Sequence, residues 1–283
     1  MLRDVYVNRI RLYYEVAGDG HPLLMIPEAG FSHWMWHKVA PALAERYQVF
    51  LPDPRGTGQT DKGREPLSVE LLAGDMIGLL DELHCRGAFV VGHGLGAYVA
   101  MQVALDRPDL VSKLVLAAAD PGDPKAVPPT AEVAELLERG VPTNLDGVER
   151  MITLFTAPSF PQRLPQVVRE ILAYHMSEDV PAEHFDAQLE AKEAARSRGF
   201  GDRLAEITAP TLVLAGEQDR VTPVGNARLL ASLLPKAQVV TLPNTGHLFP
   251  LEDPEATVKA LVGFLGGRKY LPSAGGMLAR AKV

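Results

Sequence analysis

Apolar and polar residues alternate at period two through Asp4–Val7 and again through Ile10–Val16. That alternation predicts two half-buried strands, with Asn8 and Arg9 as the turn of a hairpin. The runs Pro22–Pro27, Tyr47–Leu51 and Ala88–Val91 are continuously apolar instead. A strand reads this way when both of its faces are buried. Residues 39–47 look helical. Leu72, Met76, Leu79, Leu80 and Leu83 recur at helical spacing before Ala88, and Leu95, Val99, Val103 and Ala104 recur so after Val91. Lys113–Ala119 reads as a further strand. Strands and helices therefore alternate, which predicts an α/β fold with a mostly parallel sheet flanked by helices.

The rhythm breaks after Asp120, where Pro121, Pro124, Pro128 and Pro129 interrupt the chain. From there to about Ile207 only helical patterns occur, at 133–137, 148–155, 167–174 and 182–195. An all-helical stretch set between strands reads as an inserted helical cap. Strands resume at Thr211–Gly216 and Gln238–Leu242, and a helix follows over 254–265. The expected organisation is a core domain made of 1–120 and 208–266, a cap of 121–207, and a C-terminal tail of 267–283 that is loose or lies on the surface. No internal repeat is present.

Composition narrows the functional classes. The chain has 283 residues, 47% hydrophobic and 22% charged, enough to bury a sizeable core. Its net charge of −7 gives no basic footprint for nucleic acid. A single cysteine, Cys85, excludes an intrachain disulfide and a cysteine-based zinc site, and it reads as a packed apolar residue. No apolar run approaches the ~18 residues of a membrane span, and no signal peptide is expected from Met1–Asp4, which has no apolar core. The expected setting is the cytoplasm, with a small-molecule substrate as partner, no membrane or nucleic acid, and no cofactor or metal.

The candidate chemistry centres on Gly92-His93-Gly94-Leu95-Gly96, between the Ala88–Val91 strand and the following helix. Strand, tight turn and helix form the setting of a G-x-S-x-G nucleophile elbow. Four other segments accompany it in order. They are Ser32–Trp36, Asp53-Pro54-Arg55-Gly56-Thr57-Gly58-Gln59-Thr60-Asp61, Gly216-Glu217-Gln218-Asp219 and Asn244-Thr245-Gly246-His247. Together these resemble the α/β-hydrolase superfamily, over roughly residues 5–120 and 207–265. The detail is similar to bacterial enol-lactonases, carboxylesterases and C–C-bond hydrolases, and around the elbow to epoxide hydrolases and dehalogenases. The resemblance implies Asp219 as the acid and His247 as the base of a triad, with the Ala29 and Leu95 N–H groups as an oxyanion hole.

Two positions depart from that pattern. Gly94 stands where the attacking side chain belongs, and glycine cannot attack. Pro27-Glu28 stands where the family usually carries His-Gly. An ionised Glu28 would repel an oxyanion held by the two N–H groups, whereas burial would raise its pKa and favour the neutral acid. Glu28 is therefore expected either in the pocket as an acid or base or on a solvent-facing loop. Asp120 ends the strand after the elbow and offers an alternative acid for His247. His93 is expected to pack beside the elbow. Trp34, Trp36 and Tyr174 are expected to line or buttress the pocket. Gly92-x-Gly94-x-x-Ala97 also fits a dinucleotide fingerprint, but it falls in the fifth strand-like unit and leaves Asp219 and His247 unexplained.

Three functions follow. The first is an enzyme acting on a small, largely apolar ester, lactone, epoxide or related molecule. It would work by His247–Asp219 acid–base chemistry without a covalent serine, as a hydrolase or as a lyase, isomerase or cyclase, with room above Gly94 for water or substrate. The second is a Ser- or Asp-nucleophile hydrolase inactivated by substitution at position 94. The third is a non-catalytic binder, as in the N-myc downstream-regulated proteins, which have small residues at the elbow.

Overall fold

A computed structural model describes residues 2–140, 144–177 and 180–266. The tail expected over 267–283 lies outside them. The chain opens with β1 (Leu2–Val7) and β2 (Ile10–Ala17), an antiparallel hairpin. Asn8 and Arg9 make its turn at φ 45° and 65°, the left-handed values that a tight hairpin turn demands. Then come β3 (His21–Ile26), a 3₁₀ turn at His33–Trp36, α1 (Ala40–Ala44), β4 (Tyr47–Pro52) and α2 (Val69–Glu82). Ser68 caps α2 by accepting from the Leu71 N–H. β5 (Ala88–His93), α3 (Leu95–Asp106) and β6 (Val111–Ala117) follow.

The strands form one eight-stranded sheet in the order β1-β2-β4-β3-β5-β6, then β7 (Thr211–Gly216) and β8 (Ala237–Leu242). Only the β1/β2 and β2/β4 pairings are antiparallel. β5 is central, and Val90 and Val91 are almost wholly excluded from solvent. In the parallel β3/β5 register, Ile26 pairs with Gly92. Two residues further along each strand, Glu28 and Gly94 leave the sheet side by side at its C-terminal edge.

Between β6 and β7 the chain leaves the sheet for a helical insertion. It comprises α4 (Ala131–Glu138), α5 (Leu145–Phe155), α6 (Phe160–Arg163), α7 (Pro165–His175), α8 (Ala182–Arg198) and a 3₁₀ turn at Gly201–Glu206. After β7 come α9 (Gly225–Leu233), β8, α10 (Phe249–Glu252) and α11 (Pro254–Leu265). The sequence pattern marks one apolar face on α3, yet residues 95–104 are all buried. The reason is tertiary: besides β5 and β6, α3 is packed against α2, α8 and the 201–206 turn. Among the described residues, no helix is long and apolar enough to cross a membrane.

The Asp53–Asp61 turn fastens the sheet edge rather than the site. Asp53 accepts from the His33 and Gln59 N–H groups, and Asp61 accepts from the Arg11 N–H. Arg55 is fully buried and donates from Nε and Nη2 to the two carboxylate oxygens of Asp75, at 2.9 and 2.6 Å. Removing one partner strands the other charge in the interior. Either Arg55→Ala or Asp75→Ala is thus expected to cost about 3–5 kcal/mol in urea unfolding. An Arg55→Met/Asp75→Leu pair should lose much less than the two single losses summed.

Candidate active site

The elbow turns sharply at Gly94, with φ 50° and ψ −110°. The Gly94 N–H donates to the Ala117 carbonyl of β6, which clamps the turn to the sheet. Gly96 allows the helix to start close against β3, since a Cβ there would lie 2.3 Å from the Ile26 carbonyl oxygen. A Cβ on Gly94 would lie 1.3 Å from Glu28 Oε2. The space of an elbow side chain is therefore filled by the carboxylate of Glu28. It is not open to water or substrate, as the sequence had suggested.

Glu28 is 3% exposed, so the solvent-facing alternative is corrected. Its Oε1 accepts from the N–H groups of Ala29, at 2.7 Å, and Leu95, at 2.8 Å. These are the two donors expected to form an oxyanion hole, and Glu28 itself occupies them. Leu95 begins α3, so the helix dipole adds to their attraction for an anion. Oε2 receives a hydrogen bond from His247 Nε2 at 2.7 Å. Lys192 of α8 donates to both oxygens, at 3.3 and 3.2 Å.

Behind the imidazole, His247 Nδ1 donates to Asp219 Oδ2 at 2.8 Å. The other Asp219 oxygen accepts from the N–H groups of Val221 and Thr222, both at 2.8 Å, which fixes the carboxylate. Asp120 is not the acid of this pair. It accepts instead from the Tyr98 hydroxyl at 2.7 Å and from the Gly122 N–H. His93 is buried, with Nε2 donating to the His247 carbonyl and Nδ1 3.7 Å from Glu28 Oε2. Trp36 packs edge-on to His93. Trp34 and Tyr174 stack on each other and on Phe31, and the Tyr174 hydroxyl accepts from the Ser32 N–H, so both fasten the insertion to the core.

The charges of the site follow from this geometry. Burial alone would raise the pKa of Glu28, but the Lys192 ammonium and the hydrogen bond from His247 overcome it and hold the carboxyl well below its usual range. Of the two charge states open to Glu28, this geometry favours the carboxylate. Burial works against a charged His247, yet Asp219 and Glu28 together push its pKa up to about 9. At neutral pH the pair is carboxylate and imidazolium. The linkage sign is set by the raised folded pKa. This stabilisation is complete below the unfolded value near 6.5 and is lost as pH rises through about 9. The stability advantage of the native protein over His247→Gln should therefore shrink from pH 6.5 to 9, by up to about 3 kcal/mol. Paired thermal melts across that range test this, and a constant gap would exclude the ion pair.

Three neighbours of the candidate site escaped the sequence reading. Lys192 and Gln188 share the inward stripe of α8 with Phe185 and Ala195, and Gln188 accepts from the Gly30 N–H. The mostly polar sequence of α8 carries no legible apolar stripe that would have singled them out. Glu252 accepts from the N–H groups of Ala157 and Gly246, and burial lifts its pKa to about 7. The Phe155 carbonyl accepts from the His247 N–H. The insertion thus holds the histidine loop as well as Glu28.

Glu28, His93 and His247 present ligand atoms within 4.8 Å of one another, a possible set for a metal ion. The Lys192 ammonium already neutralises the carboxylate there and would repel a dication. For a dinucleotide, the Gly92–Ala97 turn would have to exchange Glu28 for a phosphate. The cavity beside Glu28 is about 10 Å³ and is walled by Ile26, Pro54, Leu72, Met76 and Val99. A larger depression of about 650 Å³ lies along Trp34, Glu170 and Tyr174, and none of Glu28, Asp219 and His247 lines it.

Sheet order, elbow, acid and histidine together define an α/β-hydrolase architecture. The family description "alpha/beta hydrolase fold" matches residues 22–254, and the chain belongs to that family. It is 31% identical over 269 residues to the 2-hydroxy-6-oxononadienedioate/2-hydroxy-6-oxononatrienedioate hydrolase of Cupriavidus pinatubonensis, covering 92% of each chain. It also resembles the structure of a thermophilic esterase from Thermogutta terrifontis, with TM-score 0.79 and 26% identity over 94% of this chain and 98% of that one. The enol-lactonase of Burkholderia xenovorans LB400 has the same fold, with TM-score 0.79 and 24% identity over 93% and 99% of the two chains.

Proposed function

We propose that this protein is a hydrolase of a small, largely apolar molecule (an ester, lactone, epoxide or related compound) that works without a serine at the elbow. His247 moves the proton, Asp219 orients and charges it, and Glu28 takes the place of the elbow side chain. The helical insertion acts as a cap, and the cytoplasm is the expected setting. One observation carries this reading: His247 Nε2 lies 2.7 Å from Glu28 Oε2 while Nδ1 is held by Asp219. A relic pair would have no need of a buried anion on its reactive nitrogen, because an unneeded buried charge is costly.

The cavity beside Glu28 has room for little more than one water. Substrate therefore enters when α8 and its Lys192 and Gln188 contacts withdraw from the 28–30 loop. Closure afterwards shelters the reaction from bulk water. The test is turnover of a panel of small esters, lactones and epoxides by the native protein and by His247→Ala. Turnover that depends on His247 supports the reading. Tight binding without turnover, indifferent to His247, replaces it with a non-catalytic binder.

A further inference from the structure

We infer that the side-chain amide of Gln188 is a substrate-binding group, whose N–H hydrogens receive the carbonyl oxygen of a neutral ester or lactone. The inference rests on the reading of Glu28 and His247 as a hydrolase site. It adds the donor that recognises the substrate, and it selects one substrate class from those that reading allows.

Two observations meet at one cavity. The first is a cradle already in use. The Ala29 and Leu95 N–H groups both donate to Glu28 Oε1. A carbonyl substrate must therefore find its donor elsewhere. The second is a donor without a use. Gln188 is fully buried, and its Oε1 accepts from the Gly30 N–H at 2.8 Å. That bond fixes which way the amide faces, because an N–H pairs with the oxygen of an amide and not with its NH₂ group. Nε2 is left buried without a hydrogen-bond partner. Among the described residues, five buried side-chain nitrogens are in that condition, and only Gln188 of the five residues walls the cavity beside Glu28. An unpaired buried donor lowers stability, and a leucine or methionine would fill the same wall without that cost. A donor kept there is explained by an acceptor that comes and goes.

The charges select a neutral acceptor. Glu28 and Asp219 bring two carboxylates, and Lys192 and His247 bring two cations that pair with them. The buried charges already balance. A further anion would face Glu28 without a partner of its own, in a setting where an unpaired charge is costly. A carbonyl oxygen is neutral and is a stronger acceptor than an ether oxygen. The remaining wall of Ile26, Leu72, Met76 and Val99 suits the apolar part of such a molecule.

The helix that carries the donor also carries the charge. Gln188 and Lys192 are one turn apart on α8 and share a face. Closure of α8 over the 28–30 loop orients the amide against Gly30 and seats the ammonium on Glu28 in one movement. Negative charge that builds on the carbonyl oxygen during hydrolysis then meets a donor already in place. The amide makes no covalent bond and moves no proton.

The test uses the full-length protein with two probes. Acetophenone, labelled with ¹³C at its carbonyl, is neutral and cannot be hydrolysed; 4-nitrophenyl acetate reports turnover. Infrared difference spectra are expected to show a bound carbonyl band moved to lower frequency by a hydrogen bond. The anionic counterpart, 4-acetylbenzoate, should bind at least about tenfold more weakly. Gln188→Met and Gln188→Leu keep much of the bulk and remove the donor. In both, the band should return to its unbonded frequency and kcat should fall roughly 100-fold, with a smaller change in KM and a cooperative thermal melt. A shifted band that persists in either folded variant assigns Gln188 to packing and overturns the inference. So does a native protein that binds acetophenone with an unshifted carbonyl, or that binds 4-acetylbenzoate as tightly. A Gln188-dependent band without turnover of any ester or lactone upholds the recognition and rejects the hydrolase reading. Turnover of epoxides with no binding of acetophenone does the reverse.

Discussion

His247→Ala is expected to lower kcat/KM roughly 10³-fold on whichever small substrate the native protein turns over, within the usual contribution of a positioned acid–base group. The size of the loss follows from the surroundings of the imidazole. Asp219 fixes its tautomer and charges it, and Glu28 holds the proton at the nitrogen facing the elbow. Alanine removes the imidazole that joins those two carboxylates. It also leaves Asp219 and Glu28 buried with one partner fewer, so part of any loss could be structural. His247→Gln separates the contributions, because the amide can still donate to a carboxylate but cannot shuttle a proton. Equal loss of turnover in both variants, with a smaller loss of stability in the glutamine variant, is the expected pattern. Retention of more than a tenth of native turnover in His247→Gln would remove histidine from the mechanism.

The second large effect concerns Gly94 and Glu28 as a pair. Gly94→Ser alone is expected to destabilise the protein by about 3 kcal/mol and to create no esterase. The left-handed φ of 50° strains any side-chain-bearing residue, and the new Cβ displaces Glu28 from the Ala29 and Leu95 donors. Glu28→Gly alone leaves Lys192 without its anion and should also cost stability. The double variant should be less damaged than the two singles summed, with a coupling of at least about 1 kcal/mol, because the serine then occupies the space that the carboxylate has left. It should also show a stoichiometric burst with 4-nitrophenyl acetate, since serine, His247, Asp219 and an emptied N–H cradle are then all present. Additive stabilities and no burst would mean that Glu28 and Gly94 are unrelated changes.

Much of this architecture could be read from the order of residues. Period-two alternation located the hairpin, and continuous apolar runs located the parallel strands. The proline-punctuated stretch after Asp120 marked where the chain leaves the sheet. Those signals survive in one dimension because each reports a local periodicity or a forbidden backbone conformation. Positions of motifs along the chain also marked Asp219 and His247, which the structure brings to 2.8 Å. Asp120 misled because a carboxylate at a strand end looks alike whether it faces histidine or, as here, the Tyr98 hydroxyl. Lys192 was passed over because α8 is polar over most of its surface, and only packing shows which stripe turns inward.

By itself, the sequence determined the strand–turn–helix at Gly94, its two N–H donors and the loss of a side chain there. It also showed that Glu28 was a second departure. Only the tertiary structure decided that the two departures are one. The parallel pairing of Ile26 with Gly92 carries Glu28 and Gly94 to the same edge of the sheet, and α8 brings Lys192 from 164 positions away. Charge state was likewise beyond the sequence. Burial pulls Glu28 toward the neutral acid, and the cations of Lys192 and His247 outweigh it only because both lie within hydrogen-bonding distance.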